Sequence, residues 1–391
     1  MGIRPKGVPA WVWAAGGALV LILFRSEPLP AALAAVAAQW NVLLFILGLM
    51  AISAAAECSG VFEWVADVLL EGAQGSRRRL FVWLFLAGGA MTVLMSNDAT
   101  AIVFTPVVYR AVAKRGIDAL PYLYGCTFVA DTASFGFPFS NPTNLLVLPR
   151  PHFWPYVFHL GPPMIVAVAL NLVIFMAIFR SSLRGRYTFE PAAALEPRAR
   201  RALVAMLGVT VAYVLALIVD WPLGPIAIAG AGLVLLAANV GPRAAGMRIG
   251  WSTFALLAGL FVLLDAIERA GLLKWAVVAL HDATNLGRVA AILAGSFGSA
   301  LAANLFNNLP VAAISGAIAG QGADGWLAYP LIAGVDLGPN LTTTGSLATI
   351  LWMSILRERG LAVSSLEYLR LGLSVVPAML LVTSLWLWLV R

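Results

Sequence analysis

LFILGLMAISAAAECSGVFEWVADVLL, residues 44–70, is written a second time as FALLAGLFVLLDAIERAGLLKWAVVAL, residues 254–280. Gly48, Glu57, Gly60 and Trp64 recur 211 positions later as Gly259, Glu268, Gly271 and Trp275. The same offset carries Asn97 onto Asn308, and an offset of 205 carries Asp131 onto Asp336 and Asn141 onto Ser346. A polar stretch broken by glycine and proline therefore falls at corresponding places in two apolar halves. In membrane chains that pattern marks a binding site at a repeat interface.

Working outward, the chain is 61% hydrophobic and 11% charged over 391 residues, where water-soluble chains carry about a quarter charged residues. It reads as a polytopic membrane protein. The first apolar run has no A-x-A-like cleavage site and reads as a span. Runs long enough to cross a bilayer lie near 9–24, 39–56, 161–179, 202–219, 224–240, 252–270 and 369–390. Segments 80–95 and 99–113 meet at Ser96-Asn97-Asp98, and segments 286–303 and 309–320 meet at 304–308. Each pair reads as a re-entrant helical hairpin with a polar tip. Segments 121–149 and 327–356 are spans broken midway by FGFPFSNPTN (135–144) and LGPNLTTTGS (337–346). Non-helical backbone at membrane depth survives only where protein or a water-filled cavity satisfies it, so both breaks should line a transport site. Residues 25–38, with Pro28 and Pro30, read as a loop helix.

The fold class expected is thus an all-α polytopic membrane protein with inverted repeats, two re-entrant hairpins and two broken transmembrane helices. The first repeat is assigned to 8–179 (hairpin 80–113, broken helix 121–149) and a cytoplasmic linker to 180–201. The second repeat is 202–391 (hairpin 286–320, broken helix 327–356), with span 202–219 lacking a counterpart. If the Arg-rich linker is cytoplasmic, nine spans and two hairpins put 19 of 25 Lys and Arg on that side, as the positive-inside rule demands. The set includes Arg4, Lys6, Arg77–Arg79, Arg243 and Arg248. The N terminus is then inside, the C terminus outside, and the +7 charge is a topology signal that implies no nucleic acid.

Ionisable residues inside a membrane segment are functional hypotheses by default. Asp98 stands at the first hairpin tip, where it could cap helix 99–113. Asp131 and Asp336 precede the two breaks, at C-terminal ends of half-helices where a carboxylate opposes the dipole. An exchanged proton or a bound cation explains them better than capping. The neutral polar residues singled out for the substrate are Asn97, Ser140, Asn141, Thr143, Asn307, Asn308, Thr344, Gly345 and Ser346. Half-helix starts gather free N–H groups there. Glu57, Glu63, Asp265 and Glu268 read as interfacial, and His152, His159 and His281 as uninvolved. Cys58 and Cys126 make no metal-ligand spacing. No Walker A motif is present, so the chain alone has no ATPase; it is expected to be no enzyme and to need no cofactor.

SNDATAIVFTPVV (96–108), VADTASFGFPFSNPTN (129–144), NNLPVAAISGAI (307–318) and GVDLGPNLTTTGSLATILW (334–352) together resemble the ArsB arsenite/antimonite efflux permeases of the ion-transporter superfamily. The resemblance implies export of trivalent arsenic and antimony hydroxides by proton antiport from a bacterial or archaeal inner membrane, sometimes with a soluble ArsA-type ATPase. Pro142-Thr143 after Ser140-Asn141 leans towards the Ser-Asn-Thr signature of sodium/dicarboxylate symporters. The alternatives are a sodium-coupled dicarboxylate transporter, a Na⁺/H⁺ antiporter, which the three carboxylates would serve, and, from another class, an ion channel or a non-transporting receptor, which the inverted repeat with closed hairpin tips disfavours. As(OH)₃ is a neutral triol suited to an Asn, Ser and Thr cage that donates and accepts. Asp98, Asp131 and Asp336 would repel a dianion, with no Lys or Arg among the motifs to offset them.

Overall fold

The computed structural model describes residues 9–271, 274–321 and 325–390, without the side chains of 275–277, 280, 281 and 321. Arg4 and Lys6, and the side chains of Trp275 and His281, lie outside the described residues. Those described form helices and connecting turns, with no strand among them. Among the described residues, six helices are long and apolar enough to cross a bilayer: Trp40–Ser59, Phe153–Ile178, Pro197–Ile218, Trp251–Arg269, Arg288–Phe306 and Ser365–Leu389. Ala10–Leu23 and Leu223–Ala238 are shorter apolar helices. Their outward faces carry leucine, valine and tryptophan, as at Trp13, Leu19, Val173 and Leu236, which suits a surface bathed by lipid rather than water.

The repeated glycines show why the halves interlock. A Cβ on Gly48 would stand 2.5 Å from the backbone of Ala227, and one on Gly259 would stand 2.5 Å from that of Ala14. Helix Trp40–Ser59 therefore lies directly on Leu223–Ala238 of the other half, and Trp251–Arg269 lies on Ala10–Leu23. Small residues allow such backbone approach where lipid gives no hydrophobic drive to association. The second repeated pair ends the spans. Gly60 (φ +84°) and Gly271 (φ +69°) adopt the left-handed conformation, which a residue without Cβ takes at little cost. The chain then turns into Val61–Gly72 and Lys274–Asn285.

Two hairpins and two broken helices are present. The first hairpin runs Arg77–Leu94, then restarts at Asn97. Its second arm passes through a π-helical stretch, Thr100–Phe104, before Thr105–Ala113. Pro106 has no N–H for Ile102, and a wider turn absorbs the missing bond. The second hairpin runs Arg288–Phe306 and Asn308–Gln321. Its tip is a single residue, Asn307 at φ +78°, rather than the five-residue stretch read from sequence. The first broken helix is Leu120–Thr132 then Pro142–Val147, and the second is Ala328–Leu337 then Leu347–Glu358. The span expected at 161–179 begins at Phe153 and carries Pro162 and Pro163 inside it, a tolerance common in membrane helices.

Candidate functional site

Each hairpin tip docks on the break of its own half through the same bond. The Asn97 amide N–H donates to the Ser140 carbonyl at 3.2 Å, and the Asn308 amide N–H to the Gly345 carbonyl at 2.8 Å. Ser140 and Gly345 are themselves 205 positions apart, so the repeat extends to the bonding. Three half-helix starts are capped: Ser96 Oγ accepts from Ala99 N–H at 3.3 Å, Asn141 Oδ1 from Thr143 N–H at 3.2 Å, and Ser346 Oγ from Thr349 N–H at 3.0 Å. The cap of the first hairpin's second arm is thus Ser96, which leaves the Asp98 carboxylate free of that task.

Both tips, the first break and the half-helix that follows the second break border one small cavity of about 20 Å³, lined by Asn97, Asp98, Asn141, Thr143 and Asn308, with Pro142, Leu309, Leu347 and Ala348 closing it. That is space for about one water-sized molecule. Asn97, Asn141, Thr143 and Asn308 are each buried. A larger cavity of about 690 Å³ opens elsewhere, against Gln39, Asn41, Arg150, His152 and Asp220. It holds none of the polar residues singled out for the substrate. Leu145 lines it, so the six-residue helix Pro142–Val147 stands between the two spaces.

The two carboxylates behind the small cavity are treated differently. Asp336 Oδ1 accepts from Thr143 Oγ1 at 2.7 Å and Asn141 Nδ2 at 3.0 Å, while Oδ2 accepts from Ser134 Oγ at 2.8 Å. All three donors come from the first break, in the opposite half. Asp131 Oδ1 accepts from Asn97 Nδ2 at 3.3 Å, and its Oδ2 has no hydrogen-bond partner among the described residues although the side chain is buried.

Other residues expected at the substrate do different work. Ser140 Oγ donates inside its own break, to the Ser134 and Phe137 carbonyls. Asn307 Nδ2 donates to the Thr344 carbonyl at 3.2 Å and closes the tip. Gly345 packs on Pro339, and the Ser346 hydroxyl shares a 2.8 Å bond with Thr349. Ser140, Asn307, Thr344, Gly345 and Ser346 do not border the small cavity.

Sequence reasoning missed Ser134, Thr132, Asn340 and Asn171. Asn171 had a visible signal, a lone amide in an otherwise apolar helix. Glu57, Glu63 and Asp265 pair with Arg248, Arg110 and Arg269 at 3.4, 2.7 and 2.6 Å, in keeping with an interfacial structural role. Glu27, also missed, is buried beside Arg269 at 3.9 Å. Cys126 is buried and Cys58 half-buried, and neither borders the cavity. Among the described residues no three His, Cys, Asp or Glu side chains are grouped to hold a metal.

Two hairpins that meet two broken helices around one buried polar cavity define a membrane transporter rather than an enzyme. Residues 3–335 match the family model described as citrate transporter, CitMHS. The arsenical pump membrane protein of Yersinia enterocolitica is 30% identical over 371 residues, covering 88% of this chain and 85% of that one. That of Escherichia coli K12 is 28% identical over 403 residues, covering 97% and 93%. The chain belongs to this transporter family, with the ArsB-type arsenical pump membrane proteins as its kin. The Alcanivorax borkumensis YdaH transporter, whose crystal structure reveals an unusual topology, aligns with a TM-score of 0.57 at 13% identity over 97% of both chains. It shares the fold.

Proposed function

We propose that the protein exports arsenite and antimonite as their neutral hydroxides, by proton antiport and alternating access. The observation that carries this reading is the lining of the small cavity: amides, a hydroxyl and one carboxylate, with no thiol and no Lys or Arg. Such a lining suits a neutral triol, whose hydroxyls both donate and accept. The kinship with arsenical pump membrane proteins supports the same substrate. The family description names citrate, but a tricarboxylate beside Asp98 and near Asp131 and Asp336 would meet like charge with no cation to offset it. A cavity of about 20 Å³ must widen to admit As(OH)₃, so loading requires the hairpin tips and breaks to part.

In this reading Asn97, Asn141, Thr143 and Asn308 hold the substrate, and Asp131 exchanges the proton. The free Oδ2 supports Asp131, since an unpaired carboxylate oxygen away from water is costly unless a proton or cation visits it. The acidic groups acting on it are Asp336 and Asp98, and its own charge acts on the Tyr368 phenol. The Arg-rich loop 180–201 is the cytoplasmic face, the membrane is the inner membrane, and an ArsA-type ATPase would dock on that side. The test is uptake of radiolabelled arsenite into everted vesicles under an imposed pH gradient, with and without Na⁺, and with citrate in parallel. Accumulation of arsenite that follows the pH gradient and ignores Na⁺ is expected. Accumulation of citrate alone, or arsenite uptake that needs Na⁺, overturns it.

A further inference from the structure

Tyr124, Phe128 and Asp131 stand at i, i+4 and i+7 of half-helix Leu120–Thr132, so they form a row on one face. From Tyr124 to Asp131 the row covers about 10 Å along the axis. Tyr368, in the first turn of helix Ser365–Leu389, packs its ring on Phe128 at 5.0 Å and on Tyr124 at 6.4 Å between centroids. Trp352 closes the group, 5.7 Å from Tyr124 and 6.0 Å from Tyr368. All five side chains are buried. Yet the Tyr124 and Tyr368 hydroxyls, the Trp352 indole N–H and Asp131 Oδ2 have no hydrogen-bond partner among the described residues. Phenylalanine would fill the same space without stranding a polar atom, so packing alone does not account for the two phenols. The far end of the row reaches the surface: Tyr124 stacks on Phe179 at 6.0 Å, and Phe179 leads into Arg180 and the Arg-rich loop. Glu367 is exposed next to Tyr368. The titratable groups acting along the row are Glu367 and Tyr368 on Tyr124, Asp131 on Tyr368, and Asp336 and Asp98 on Asp131.

We propose that Tyr124 and Tyr368 carry the proton between Asp131 and the Arg-rich face, through buried waters bound to their hydroxyls and to the Trp352 indole. A buried water typically makes about three hydrogen bonds to polar groups that otherwise lack a partner. Each step is an exchange: a phenol takes a proton from the water on its Asp131 side as it gives its own to the water on its Glu367 side. Neither phenol changes charge, and the net event is one proton moved from Asp131 to Glu367 or to the solvent beside it. Tyr124 and Tyr368 do not border the small cavity, so they serve coupling and not recognition. The route rests on the reading of Asp131 as the proton carrier; the water sites do not.

X-ray radiolysis of the full-length protein in nanodiscs reads the waters without any substrate, because hydroxyl radicals made from a buried water oxidise the side chains that bind it. Tyr124 and Tyr368 should be labelled at least about fivefold faster than Tyr156, which is equally buried but has its hydroxyl bonded to the Phe135 carbonyl at 3.1 Å. Labelling at the Tyr156 rate would overturn the water sites and the route with them. The route itself is read on Tyr124→Phe and Tyr368→Phe, singly and together, in everted vesicles. Arsenite accumulation driven by a pH gradient should fall by more than about tenfold in the double variant. Arsenite/arsenite exchange, which moves no net proton, should stay within about twofold of wild type. Accumulation at the wild-type rate would overturn the route, and so would an equal fall in both assays, which would reduce the tyrosines to packing. If the double variant does not insert, Tyr368→Phe alone decides by the same two assays. Wild-type vesicles that accumulate no arsenite under a pH gradient would refute the transport reading and the route that rests on it, while the labelling would still decide the water sites.

Discussion

Gly48 and Gly259 should be among the least replaceable residues of the apolar scaffold, and Gly208 and Gly232 among the most replaceable, although all four sit inside helices. Alanine in place of Gly48 would put a Cβ 2.5 Å from the Ala227 carbonyl carbon and 2.6 Å from its oxygen; in place of Gly259 it would meet Ala14 carbon at 2.5 Å and oxygen at 2.7 Å. Ordinary carbon contacts need about 3.5–4.0 Å, so each helix pair must part by about an ångström. No flexible side chain can yield, because the obstacle is backbone. Overpacking of this kind costs about 1–3 kcal/mol. Around Gly208 and Gly232 nothing lies within 4 Å, and there the gain in helix propensity, about 0.5–1 kcal/mol, stands alone. The same substitution therefore changes sign with position. The assay is thermal unfolding of purified protein in detergent, read by tryptophan fluorescence. Melting temperatures should fall by several degrees for Gly48→Ala and Gly259→Ala, and hold or rise slightly for Gly208→Ala and Gly232→Ala, taking about 2–4 °C per kcal/mol in mid-sized chains as the scale. Wild-type melting for both scaffold variants would refute the close-packed crossing of the two halves.

Asp131→Asn should insert normally and lose pH-driven arsenite accumulation by more than about tenfold; accumulation at the wild-type rate in everted vesicles would remove Asp131 as the proton carrier. A Cys58→Ser, Cys126→Ser double variant should still confer arsenite resistance on a sensitive host, since neither thiol borders the cavity, and complete loss at normal expression would return thiol chemistry to the site. Burial, and then Asp265, push the Glu27 carboxyl above its ordinary value, with Arg269 opposing. A raised acid favours the folded state while protonated, and that favour is lost as pH climbs past the ordinary carboxyl range and through the folded value. Glu27→Gln should therefore melt higher than wild type at pH 8 and converge with it near pH 4.5; a gap that does not narrow on acidification would show that Glu27 does not titrate in the fold.

The architecture was legible because the chain states it twice. Gly48 and Gly259, Gly60 and Gly271, Asn97 and Asn308 each perform one physical task in duplicate: close crossing, span termination and tip docking. Hairpin edges were less legible. Asn304, Asn307 and Asn308 looked alike in sequence, and only the left-handed backbone at Asn307 fixes which of them turns the chain. Asn304 instead donates to the Ala300 and Gly338 carbonyls, a choice set by the neighbouring break, which lies more than thirty residues further along the chain. Ser140 and Ser346 have the chemistry of substrate ligands, yet freed backbone and neighbouring hydroxyls claim them first.

What separates Asp131 from Asp336 lies where the two halves cease to match. Under the offset of 205 that relates these carboxylates, the three donors on Asp336 (Ser134, Asn141 and Thr143) correspond to Pro339, Ser346 and Ala348. Proline and alanine have no side-chain donor, and the Ser346 hydroxyl is already engaged with Thr349 at 2.8 Å. The second break therefore has nothing to offer Asp131 in return for what the first offers Asp336. Asn340, the side chain it does extend across, replaces Phe135 in the repeat and reaches backbone and Thr132 rather than the carboxylate. One acid is thus saturated and the other keeps an open oxygen, by the identity of three residues. A pair of carboxylates related by an internal repeat acquires distinct roles through such mismatches, since equal surroundings would give equal affinities for a proton. Restoring the match should narrow the difference. Ala348→Thr would set a hydroxyl at the position equivalent to Thr143, on the wall of the small cavity that Ala348 now closes. If that hydroxyl reaches Asp131 Oδ2, the variant should transport with a weakened response to the pH gradient while arsenite/arsenite exchange continues. An unchanged pH response in a variant whose structure shows the new bond would mean that Asp131's open oxygen is not what couples the proton.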